Sequence, residues 1–119
     1  MKIREVPFAA DELMARVEGD RGLLWELVEL FRRESPRQLL NIRRSLEASD
    51  SRALREAAHA MKGSLGNFAA KGAAQAALAL EVMGRDGVLD GADVRLADLE
   101  QQVISLERGL VRFLEDAPN

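Results

Sequence analysis

Leu96, Leu99, Val103, Leu106, Leu110 and Phe113 recur at alternating spacings of three and four. That rhythm constrains the fold of this chain more than any other feature. It puts one apolar stripe on one face of an α-helix, and such a stripe is stable only when other helices cover it. The rest of the 119 residues supply them. Alanine, leucine, glutamate and arginine are abundant, prolines are few, and β-branched residues are sparse, all of which favours helix over strand.

Five helical segments are predicted. The first is short, about residues 9–17. The second runs from an Asp20 N-cap to about Ala48, with Leu23, Leu27, Phe31, Leu39, Ile42 and Leu46 as its apolar stripe. Pro36 lies inside it and predicts a bend rather than a break, because the stripe resumes in register. Ser49-Asp50-Ser51 caps a third helix to about Phe68, with Leu54, Ala57, Met61, Leu65 and Phe68 inward. A fourth, alanine-rich helix covers about residues 71–83. Residues 84–91, with three glycines, read as a loop between the last two helices, and the fifth helix spans about 92–115. Short connections between long amphipathic helices imply antiparallel neighbours. The expected fold is all-α: an antiparallel up-down four-helix bundle with a short additional N-terminal helix. Residues 1–119 form a single domain in this reading, with 1–7 a flexible N-terminus.

Composition removes most site chemistry. There is no cysteine and only one histidine, so thiolate zinc sites, cysteine nucleophiles, disulfides and histidine cages are excluded. A net charge of −3 gives no basic footprint for nucleic acid. No apolar run approaches the roughly 20 residues of a membrane span, and the first residues lack a secretory apolar stretch. The expectation is a cytoplasmic chain, or a domain cut from one, that binds neither nucleic acid nor membrane. Asp86, Asp90 and Asp93 flank the glycine loop without the spacing of a calcium loop, so no metal site is expected.

The single histidine then becomes informative by its position. On a wheel of about 100° per residue, His59 lies opposite Leu54, Met61 and Leu65, on the solvent face. Arg55, Lys62, Gly63 and Gly66 share its side. Each helix-interior glycine costs about 1 kcal/mol relative to alanine. Helix fraying is one explanation of Gly63 and Gly66; the other is clearance, letting a second protein or a phosphoryl group reach the ring. Lys62 and Arg55 add cations beside it. An exposed imidazole with a clear approach and adjacent positive charge suits a phosphoryl acceptor. Trp25 and Leu40 fall off the stripe of the second helix, as core or as docking surface, and Arg32-Arg33 and Arg43-Arg44 read as solvated faces.

His59-Ala60-Met61-Lys62-Gly63-Ser64 resembles the H-x-x-K-G-S signature of histidine-containing phosphotransfer domains. Phe8, Gly19-Asp20, Leu23, Glu26-Leu27, Phe31, Pro36, Ala57-Ala58 and Leu80-Glu81 extend the likeness. The resemblance implies that His59 is phosphorylated on its outer ring nitrogen, that Lys62 steadies the phosphoryl group, and that Gly63 admits the partner's loop. Ser64 and Asn67 match the small and polar positions that follow. Ala69 departs from the pattern, standing where many members have glycine. The implied function is a phosphocarrier in a two-component phosphorelay, passing a phosphoryl group between receiver-domain aspartates. Its partners would be response-regulator receivers, with a hybrid histidine kinase as a further candidate, and the protein would be monomeric. No cofactor is expected on this chain, magnesium being supplied by the receiver. The absence of a Walker loop or kinase glycine box argues against a nucleotide site, hence against an autonomous enzyme. The rival readings are a non-catalytic helical adaptor or dimerisation module, and the phosphoacceptor domain of a chemotaxis-type kinase.

Overall fold

The computed structural model describes residues 7–116; apart from Pro7, the stretch expected to be flexible lies outside the described residues. Five helices follow one another: α1 (Ala10–Arg16), α2 (Arg21–Glu47), α3 (Ser51–Gly66), α4 (Lys71–Asp86) and α5 (Ala92–Asp116). The long helices touch in a ring, α2 against α3 and α5, and α4 against α3 and α5. Among the described residues there is no strand.

Local chemistry sets the helix starts and stops. Asp20 accepts from the Leu23 amide at 2.9 Å, and Asp50 accepts from the Ala53 amide at 3.0 Å. Each thereby satisfies an amide that has no partner within its helix. Gly87 closes α4 in the left-handed conformation, with φ +72°, which glycine adopts without Cβ strain. α2 continues through Pro36 as one helix. The proline sits on the exposed side, where water can replace the missing donor.

The core departs from the apolar stripe of the sequence in several places. In α2 the buried positions are Leu24, Val28, Phe31, Ser35, Ile42 and Ser45, whereas Leu23 and Leu27 are 41% and 37% exposed. The true seam steps by four, three, four, seven and three, through two buried serines. Ser45 stays buried by donating to the Asn41 carbonyl at 2.8 Å. In α3 it is Ala58, not Ala57, that is fully buried, in line with Leu54, Met61 and Leu65. In α5 Leu114 takes the last core position. Phe113 instead turns its ring edge-on to Phe8, at 5.6 Å between centroids. Each fully buried leucine or methionine contributes about 1.5–3 kcal/mol.

The glycine loop is also shorter than residues 84–91. Gly84, Arg85 and Asp86 belong to α4, and Gly84 is buried. A Cβ there would lie 2.6 Å from the Arg55 amide nitrogen and 2.7 Å from the Ser51 carbonyl oxygen. Gly84 is therefore a packing residue that lets α4 press against the backbone of α3. At the other end of α3 the helix stops at Gly66, earlier than Phe68. Ala69 turns the chain with φ +55°, and its carbonyl accepts from the Ala9 amide at 3.0 Å.

Cross-helix contacts fix the frame. Arg21 donates to the Leu114 carbonyl at 2.9 Å and lies over the Phe113 ring. Arg43 and Arg32 reach Glu100 and Glu107 on α5 at 2.8 and 3.5 Å, so two of the four arginines read as solvated faces in fact tie α2 to α5. Trp25 is half-buried against the core. It lies on the same ridge of α2 as Arg21 and Arg32, by its spacing of four and seven residues from them. Leu40 is 43% exposed.

Candidate functional site

His59 occupies the middle of α3, flanked along the chain by the buried Ala58 and Met61. Packing of those neighbours turns the imidazole outward, and its side chain is 68% exposed. What holds the ring is on α4. Glu81, directly after the buried Leu80, brings Oε2 to 3.2 Å from His59 Nδ1. Its Oε1 lies 2.8 Å from Lys62 Nζ. One carboxylate, only 20% exposed, thus touches both the histidine and the lysine.

The Lys62 ammonium holds the Glu81 carboxyl below the usual carboxylate range; partial burial opposes it, and the His59 ring adds a smaller lowering. Glu81 is ionised at neutral pH and can only accept hydrogen bonds. The hydrogen between it and His59 therefore sits on Nδ1. In the neutral ring this leaves the lone pair on Nε2, on the side away from Glu81.

The remaining candidate residues divide by place. Gly63 lies one turn after His59, and a Cβ built on it or on Gly66 would meet nothing within 4 Å. The ridge beside the ring is open space. The Gly66 carbonyl accepts from the Arg16 guanidinium, tying α1 to the end of this ridge. Arg55 is exposed one turn before His59. Ser64 faces the other flank, accepting from Gln38 of α2 at 3.0 Å. Asn67 is the C-cap of α3, its amide donating to the Gly63 carbonyl at 3.2 Å. The structure thus brings His59, Lys62 and Gly63 together and sets Ser64 and Asn67 apart from the ring.

Glu81 is the member that reasoning along α3 missed, since it lies 22 residues on, in another helix. One signal was available. Glu81 is the only charged residue between Lys71 and Arg85, an isolated acid in an alanine-rich helix.

An all-helical bundle that presents one solvent-facing imidazole, held by a carboxylate that a lysine shares, defines a histidine-display domain. The chain belongs to the Hpt domain family, whose model matches residues 26–109. Its function is histidine phosphotransfer in phosphorelays, the partners of such domains being response-regulator receivers. The fold agrees with the crystal structure of histidine-containing phosphotransfer protein B (HptB) from Pseudomonas aeruginosa PAO1. The TM-score is 0.85 at 24% identity, covering 96% of this chain and 100% of that one. No curated protein sequence matches the chain. Among the described residues, no helix is long and apolar enough to cross a membrane.

Proposed function

We propose that His59 is the residue that carries the phosphoryl group. The observation behind this is the Glu81–His59 contact of 3.2 Å, which leaves Nε2 as the free nucleophile of an exposed ring. The Nε2 lone pair attacks the phosphorus of a receiver aspartyl phosphate, and the aspartate O–P bond breaks with its electron pair returning to the carboxylate. The hydrogen on Nδ1 stays where it is, against Glu81. The reverse steps deliver the group to a second receiver aspartate.

Lys62 is placed to accompany the incoming negative charge. The open ridge at Gly63 and Gly66 leaves room for the receiver's active-site loops, and Arg55 adds positive charge one turn away. Short connectors turn each long helix back along its neighbour, so we read the bundle as up-down, with α1 across one end. Leu23, Leu27 and Leu30 are exposed. By helical spacing they share the flank of α2 that Gln38 turns toward α3, and they supply apolar surface for a receiver to cover. Ser64 and Asn67 support the local helix rather than the reaction. The chain acts as a monomeric carrier in the cytoplasm without a nucleotide or metal of its own, the magnesium residing on the receiver.

Incubation with a radiolabelled phospho-receiver domain tests the assignment. Acid-labile, base-stable label should appear on the wild type and vanish in His59→Gln. Equal labelling of that variant would refute it.

A further inference from the structure

Lys62 is not a free cation waiting for a phosphoryl group. Its ammonium already contacts Glu81 Oε1 at 2.8 Å, and that oxygen is buried. Glu81 itself is anchored: it sits beside fully buried Leu80 on α4, and its other oxygen is engaged by His59. The lysine, on a flexible four-carbon stem, is the member of the pair that can move. When a phosphoryl group arrives on the far side of the ring, the one ammonium must serve two anions, one of which it already holds.

We propose that Glu81 weakens the hold of the site on its phosphoryl group by competing for Lys62, so that the group remains transferable in both directions. This rests on the assignment of His59 as phosphoacceptor. A lysine committed wholly to the phosphoryl group would stabilise the phosphorylated form and favour retention. A lysine already paired contributes only the difference between its two partners. Glu81 is thus a positioning residue with two tasks: it directs the ring hydrogen to Nδ1, and it sets the equilibrium of the carrier through Lys62. The charged groups around the ring from its own helix are Arg55, Glu56 and Lys62, with Glu56 bound to Arg52 at 3.3 Å. From α4 they are Glu81 and Arg85, the latter paired with Asp86 at 3.1 Å. Among the ion pairs of the described residues, only Lys62–Glu81 joins two of these groups across helices.

The test uses phosphoramidate as the donor, so no receiver is required. Nε2 forms the new N–P bond while the P–N bond of phosphoramidate breaks and its electron pair leaves with ammonia. At fixed pH and a fixed ratio of phosphoramidate to ammonium, ³¹P NMR gives the equilibrium fraction of phosphohistidine. The chains compared are wild type, Glu81→Gln, Lys62→Met and the double variant. Glutamine is the isostere of Glu81, and circular dichroism verifies each fold. Glu81→Gln should raise the equilibrium constant for phosphohistidine by roughly threefold to fivefold, the scale of a partly exposed ion pair. Lys62→Met should lower it, and by a larger factor in the Glu81→Gln background than in the wild type. A merely structural Glu81 would give two independent effects. An unchanged or lowered constant in Glu81→Gln, or strict additivity of the two substitutions, overturns the proposal while leaving His59 as the acceptor. Failure of wild type to form phosphohistidine at residue 59 overturns the parent assignment and this one with it.

Discussion

Gly63 and Gly84 are both glycines inside helices, and adding the same methyl group to each should move stability in opposite directions. At Gly63 the new Cβ meets nothing within 4 Å. The substitution then yields only the helix propensity of alanine over glycine, about 1 kcal/mol of stabilisation. At Gly84 the Cβ would lie 2.6 Å from the Arg55 amide nitrogen, 2.7 Å from the Ser51 carbonyl oxygen and 2.9 Å from the Arg55 Cα. All three are backbone atoms, so no rotamer change relieves the contact. To reach an ordinary 3.4 Å, α4 must withdraw from α3 by about 0.8 Å where its last turn meets the first turn of α3. Overpacking of this kind costs about 1–3 kcal/mol, from which the propensity gain of about 1 kcal/mol is returned. Gly63→Ala should therefore be the more stable variant by about 1–3 kcal/mol. Urea unfolding of the two variants beside wild type measures this. For a domain of this size the melting temperatures should differ by about 10 °C. A Gly84→Ala variant as stable as Gly63→Ala would show that α3 and α4 do not press together as described. A destabilised Gly63→Ala would show that the ridge beside His59 is not open.

Three further outcomes are expected. Gly63→Leu should leave the unfolding midpoint within about 1 kcal/mol of wild type. It should slow phosphoryl exchange with a receiver at least about tenfold, because the lost clearance falls on the reacting complex; stopped-flow or quench-flow transfer assays read this. Because the folded Glu81 carboxyl titrates below its unfolded value, its contribution is present above the ordinary carboxylate range and disappears as pH falls through the lowered folded value. Glu81→Gln should thus be less stable than wild type at pH 7 by no more than about 1 kcal/mol, and the gap should close on acidification in urea titrations. At Ala69, buried with φ +55°, valine should destabilise by about 2–3 kcal/mol because β-branching is poorly tolerated in that conformation. Glycine there should stay within about 1 kcal/mol of wild type, relief of strain offsetting the lost methyl burial.

Much of this architecture is legible in periodicity and punctuation. The seam of α5 from Leu96 to Leu110 is buried as its spacing predicts, and Asp20 and Asp50 begin their helices as side-chain caps. The α2 seam is hidden in the sequence because leucine is abundant on both sides of that helix. The seam residues Ser35 and Ser45 look like surface, while Leu23 and Leu27 look like core. At Gly84 a glycine followed by charges carries a turn signal; nothing local reveals that another helix needs its missing side chain.

The site divides along the same line. Within one helix, distance along the chain fixes direction: four residues is one turn, so the sequence of α3 by itself turns His59 to solvent with Lys62 and Gly63 on its side. The three-and-four alternation of α5 and the capping aspartates are equally local, and so are the helices they define. The packing of α4 on α3 is not local. Backbone contact at Gly84 sets how closely the two helices meet, and the register of that contact brings Glu81, 22 residues away, between His59 and Lys62. The sequence by itself turned the one histidine to solvent; only the tertiary structure decided that Glu81 reaches its Nδ1 and that the neighbouring lysine is already shared.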